Sequence, residues 1–165
     1  MSNLQRSRGF TLIELMVVIL IIVIVLGLVG VNLEPDRETI VRDEARRMAL
    51  LLRTAQQEAI LQGKILAMEI TPEGYVFLML NDNSEFKSLS QDEILRPRDL
   101  PRDIIISSVN IEGRPVTEKP RLILLPTGEL PEFTIIFSFG EIHWKVQGVF
   151  SGEIKVAVAS LPGSA

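Results

Sequence analysis

Hydrophobic and polar positions fall into three successive patterns. From Phe10 to Val31 nearly every position is apolar, with Thr11 and Glu14 as the polar exceptions. A helix of about 22 such residues measures about 33 Å at about 1.5 Å per residue, enough to cross a bilayer core. After Asn32 and Pro35 the spacing changes: Val41, Ala45, Met48, Leu52, Ala55 and Ala59 recur at intervals of four and three. That predicts an amphipathic helix with one packing stripe, with Arg42, Asp43, Arg46, Arg47 and Arg53 mostly off it. Gly63 supplies a stop, because glycine accepts the left-handed conformation at a helix end. Pro35 cannot continue the backbone ladder and predicts a kink or short break between the two helical parts.

From Ile65 the period shortens to two. "ILAMEI" and "YVFLML" flank "TPEG", a proline-glycine turn signal, and predict a hairpin. Asn81 to Asp103 is polar and carries Pro97 and Pro101, which predicts a connecting excursion with little regular structure. Strand patterns resume in "IIISSVNI", "RLILL", "FTIIFSF", "EIHWKVQ" and "EIKVAVA", the last two flanking "GVFSG". In that pair Ile142, Trp144 and Val146 alternate on one side and face inward, and Ile154, Val156 and Val158 alternate on the other. Seven strands and one amphipathic helix imply two antiparallel sheets with the helix packed on one of them.

Glu14 is the expensive residue of the apolar run, since a carboxylate at a bilayer centre costs roughly 2.5–3.5 kcal/mol on insertion scales. Arg6 and Arg8 precede the run and mixed charges follow it, so the positive-inside bias keeps the N-terminus cytoplasmic and carries the rest of the chain across. A cleaved secretory signal would have a shorter apolar region ending in a small-residue site, and no such site follows. An uncleaved signal anchor accounts for length and orientation but leaves Glu14 unexplained, unless that carboxylate only snorkels to the interface.

The leader with its arginines, Gly9, and then "FTLIELMVV" resembles the processing signal of type IV pilins and of the pseudopilins of type II secretion. The resemblance implies cleavage by a prepilin peptidase between Gly9 and Phe10 and N-methylation of Phe10. It also gives Glu14 a role in assembly register, partnering the new α-amino group, commonly on the neighbouring subunit. An α-amine with an ordinary pKa near 7.7–8 is largely cationic at neutral pH, and pairing relieves the cost of a carboxylate in low dielectric. The second half, with "EARRMALLLRTAQQEAILQGKILAMEI", "LPRDIII" and "LLPTGEL" before the last strands, resembles the H-type minor pseudopilins. In that family an aromatic-x-Pro-x-Gly element precedes the last strands; here Leu124 stands at the aromatic position, with Pro126 and Gly128 kept. The implied fold is pilin-like α+β: a long N-terminal helix, membrane-spanning in its first half and amphipathic in its second, on an antiparallel two-sheet β head. The implied organisation is leader 1–9, transmembrane helix 10–33, amphipathic helix 34–63 and periplasmic head 64–165. The implied partners are other pseudopilins, major and minor, the prepilin peptidase and the inner membrane, with the chain near the tip of a short pseudopilus.

Composition narrows the alternatives. The net charge is −4 and the pI about 5.1, with no Lys/Arg cluster, so nucleic acid is not an expected partner. Removing residues 1–9 takes away two arginines and no acid, leaving 15 basic against 21 acidic side chains and a charge of −6. The absence of cysteine excludes disulfides, thiolate zinc sites and thiol catalysis. A calcium loop like that of the major pseudopilin would need clustered oxygen ligands near the C-terminus, and none is present. His143, the one histidine, alternates with the inward-facing Ile142, Trp144 and Val146 and is expected to face solvent, with no nucleophile motif nearby, so no enzymatic role, metal site or cofactor is expected. Trp144 reads as core. Asp82, Glu85, Asp92, Glu93 and Asp99, with Lys87, Arg96, Arg98 and Arg102, read as a solvated surface or a contact for neighbouring subunits. The rival readings are a minor pilin of a type IV pilus or DNA-uptake machine and an uncleaved, signal-anchored periplasmic binding domain.

Overall fold

The computed structural model describes residues 11–29, 36–71 and 73–160. Two compact units divide between Pro35 and Asp36. The expected cleavage point at Gly9–Phe10 and the break at Pro35 lie outside the described residues.

The first unit contains α1, Leu12–Val29. Thr11 begins it: the Glu14 N–H donates to the Thr11 carbonyl at 3.1 Å and approaches its hydroxyl at 3.4 Å, and the Leu15 N–H reaches the same carbonyl at 3.3 Å. The Glu14 bonds take up an amide that a helix start would otherwise leave unpaired, and the Leu15 bond is the first of the helical ladder. Among the described residues no helix is long and apolar enough to cross a membrane. The 18 residues of α1 extend about 27 Å, against a hydrocarbon core of about 30 Å.

The second unit opens with α2, Arg37–Gln62. Gly63 ends it in the left-handed region at φ 63°, its N–H donating to the Ile60 carbonyl while the Lys64 N–H reaches Ala59. Ten strands follow: β1 Leu66–Ile70, β2 Gly74–Leu80, β3 Phe86–Ser88, β4 Arg98–Asp99, β5 Ile105–Ile111, β6 Arg114–Pro115, β7 Arg121–Leu124, β8 Phe133–Phe139, β9 Ile142–Gly148 and β10 Ile154–Val158. They form two antiparallel sheets, one ordered β3-β2-β1-β7 with β4 also on β2, the other β10-β9-β8-β5-β6. The hairpin across residues 71–74 is present in register Ile70↔Tyr75, closed by a bond from the Thr71 N–H to the Gly74 carbonyl at 2.9 Å. The β9–β10 hairpin pairs Val146 with Val156.

The predicted stripe is the core seam: Val41, Ala45, Met48, Leu52, Ala55 and Ala59 are all fully buried. Its three alanines bring the helix close to Leu66, Met68, Leu122 and Leu124 of the first sheet and Ile135, Phe137, Val146 and Ile154 of the second. Tyr75 and Phe77 add an edge-to-face pair with centroids 6.1 Å apart.

Two expectations need correction. The helix packs on both sheets, mainly on β9 with β8 and β10, but also on β1 and β7. The polar excursion from Asn81 to Asp103 is folded onto the first sheet: β3 pairs with β2 through Leu78↔Ser88 to Leu80↔Phe86, and β4 pairs with β2 through Gly74↔Asp99 and Tyr75↔Arg98. Its few apolar residues do the anchoring. Leu95 is buried and Leu89 and Leu100 pack against the core. Asp92 accepts from the N–H groups of Ile94 and Leu95 at 2.8 and 2.7 Å, fixing the turn between them.

Candidate functional site

On α1 every side chain from Thr11 to Val25 is exposed, the large apolar ones from 44% at Val18 to 77% at Leu12. A helix apolar around its whole circumference has no polar face to give to water. Glu14 is its one charge, exposed in the first turn, where a carboxylate also interacts favourably with the helix dipole. The structure thus places Glu14, while Gly9 and Phe10 lie outside the described residues.

In the head, α2 grips the β7–β8 turn and β10 at once. The Gln56 side-chain amide donates to the Gly128 carbonyl at 2.6 Å, and the Arg53 guanidinium donates to the Ile154 carbonyl. Gly128 stands at φ 83°, and a Cβ there would press on Ile60 Cδ1 at 3.3 Å. Gly152, also at φ 83°, leaves room for the Gln56 amide, which a Cβ would meet at 2.5 Å. The glycine of "LLPTGEL" is therefore required by backbone conformation and by the nearness of α2, while Leu124 fills the core where the resembled family carries an aromatic ring.

Sequence reasoning missed a buried ionic cluster. Glu44 is 4% exposed on α2, bonded by Arg47 at 3.0 Å and by the Tyr75 hydroxyl at 3.4 Å. Burial pushes its carboxyl above the usual range, opposed by the nearby Arg47 guanidinium, the Tyr75 hydroxyl and Arg98. The Tyr75 phenol is likewise pushed up, chiefly by burial and then by the Glu44 charge. No periodicity signals this, because Glu44 lies beside Ala45 at the margin of the stripe.

His143 lies on the face opposite Trp144, as its strand parity requires, yet it is half-buried and not free in solvent. Its Nδ1 shares a hydrogen bond with the Ser138 hydroxyl at 2.8 Å, and Ser138 shares another with Ser107 at 2.7 Å. Ser138 and His143 are direct register partners on β8 and β9, a pairing that no local pattern reveals. Trp144 packs against the core. Among the described residues no three His, Asp or Glu side chains converge as a metal site would require.

One apolar helix carrying a single charge, and a head built of a helix on two antiparallel sheets, define a pilin-type subunit. Residues 4–30 match the prokaryotic N-terminal methylation motif, and residues 44–152 match the family described as type II transport protein GspH. The "Type II secretion system protein H" of Aeromonas hydrophila is 27% identical over 150 residues, covering 79% of this chain and 80% of that one. Its counterpart from Pseudomonas aeruginosa is 28% identical over 145 residues, covering 80% and 83%. Among solved structures, the minor pseudopilin EPSH from the type II secretion system of Vibrio cholerae superposes with a TM-score of 0.66 at 18% identity, over 76% of this chain and 99% of that one. The solution structure of E. coli GspH superposes at 0.60 with 14% identity, over 78% and 95%. The chain belongs to the GspH family of type II transport proteins and is a minor pseudopilin of type II secretion.

Proposed function

We propose that this chain is made with a leader, residues 1–9, that a prepilin peptidase removes between Gly9 and Phe10, and that the new Phe10 terminus is N-methylated. Residues 10–33 then hold the protein in the bacterial inner membrane, single-pass, with the head on the periplasmic side and residues 34–63 forming its helical stem. The apolar helix bundles with those of other pseudopilins, Glu14 pairing with the α-amino terminus of a neighbour to set axial register. The head adds contacts near the tip of a short pseudopilus that supports export of proteins across the outer membrane. In this reading the chain is the substrate of a processing enzyme and a structural subunit itself.

The observation that carries the reading is α1: fully apolar side chains exposed on every face, and one carboxylate in the first turn. A charge so placed is costly when alone in lipid and much less so when paired. Crosslinking in native membranes, with mass spectrometry of the captured neighbours and of the chain's own N-terminal peptide, tests it. Neighbouring pseudopilins together with a methylated Phe10 are expected. An intact leader with no pseudopilin neighbour would overturn the proposed processing and assembly.

A further inference from the structure

β7 is an edge strand of the first sheet, paired on one side with β1. The Ile70 N–H donates to the Pro120 carbonyl at 2.9 Å, so by the alternation of an antiparallel ladder Leu122 and Leu124 also turn their backbone groups toward β1. Arg121, Ile123 and Leu125 turn theirs away. The Leu125 carbonyl accepts from the Gly128 N–H at 3.0 Å, but no protein group among the described residues takes the outward N–H and C=O of Arg121 or Ile123. Such a row is a template for another strand.

These same three residues line a groove of about 640 Å³. Ile111, Leu130 and Phe150 supply apolar walls, and Phe150, in the β9–β10 turn, is 64% exposed. Glu112, Glu129 and Glu132 stand on the rim, all exposed, and among the described residues none has a lysine or arginine at ion-pair distance. The one cation of the lining, Arg121, is engaged by Glu69 and lies over the Phe86 ring, 4.8 Å from its centroid. Glu112 is held there by its own backbone, at φ 52° in the β5–β6 turn, with its N–H donating to the Glu132 carbonyl at 2.7 Å.

We propose that the β7 edge and this groove dock an extended segment of a different subunit, one that alternates apolar side chains with lysine or arginine. Its backbone would extend the first sheet, its apolar side chains would enter between Ile123, Leu130 and Phe150, and its cations would meet the three rim glutamates. Backbone pairing gives such a contact affinity, and the charged rim selects the partner. The inference rests on the assembly reading, and its failure is separable: loss of groove binding with N-terminal processing intact sinks the groove alone.

The test uses the full chain in detergent micelles with the peptide KVKVKVK as probe and EVEVEVE as its charge-reversed control, read by amide hydrogen exchange. KVKVKVK is expected to slow exchange at Arg121 and Ile123. The E112Q/E129Q/E132Q variant, or raised salt, should weaken that binding by about tenfold. Ile123→Pro removes an outward donor without touching the β1 ladder and should abolish the protection. Three outcomes overturn the proposal: no slowing at these amides, equal slowing by EVEVEVE, or the same slowing by raised protein concentration alone, which would assign the edge to a second copy.

Discussion

At Glu44 the cost of taking a carboxylate out of water outweighs what Arg47, Tyr75 and Arg98 return, so the folded head holds the proton to a higher pH than the unfolded chain does. The folded state therefore binds more protons than the unfolded one between the ordinary value of 4.5 and the raised one, and stability falls as pH rises through that window. Glu44→Gln is expected to raise the melting temperature at pH 7, by an amount that shrinks as the pH falls from the raised value towards 4.5 and is gone below it, followed by circular dichroism across pH. Replacement by leucine would instead leave the Arg47 guanidinium and the Tyr75 hydroxyl without their acceptor. A second residue-scale prediction concerns the turn held by Gln56. Gly152→Ala forces a non-glycine residue to φ 83° against the Gln56 amide and should cost about 1–3 kcal/mol in denaturant unfolding. Gln56→Ala should cost about 1 kcal/mol by loss of its bond to Gly128, and the double variant should cost less than the two together because they share that contact.

Among the elements, α2 was legible because a helix repeats its buried positions every three or four residues, and all six predicted stripe residues are buried. The long strands were legible by alternation. What the local pattern could not carry was pairing. β3 and β4 have three and two residues, too short for any period, and exist because β2 offers them an edge. The Ser107, Ser138 and His143 chain depends on cross-strand register, and the contact of α2 with both sheets depends on how the sheets close over an alanine stripe that would equally suit one. Glu14 was visible as a lone charge in an apolar run. The β7 groove was not, because an edge is defined by the strand that is missing beside it. Gly74 tests the account of β4: a Cβ there would sit on the Arg98 carbonyl oxygen, backbone against backbone. Gly74→Ala should detach β4 and expose Leu95, with a loss of about 2–5 kcal/mol comparable to a large core truncation, and early protease cleavage between Leu89 and Leu100.

For the whole molecule, the assembly reading makes two further predictions. Gly9 replaced by a bulky residue should leave the leader attached, seen as a larger N-terminal peptide by mass spectrometry; normal maturation would remove the pilin-type reading of the signal. Glu14→Val should still enter the membrane, since it removes a charge costing roughly 2.5–3.5 kcal/mol at a bilayer centre, yet it should be recovered in sheared pseudopili far less than the native chain. Undiminished recovery would remove the register role.

The contact of α2 with both sheets has a mechanical consequence. A pull that enters the head where its chain begins, at Asp36, runs into a helix whose later turns are fastened to the β7–β8 turn through Gln56 and to β10 through Arg53. Load is divided between the two sheets at once, with no single hairpin in line to be peeled open first. A head loaded through that helix would then strain as one block, and give way only when helix and both sheets let go together.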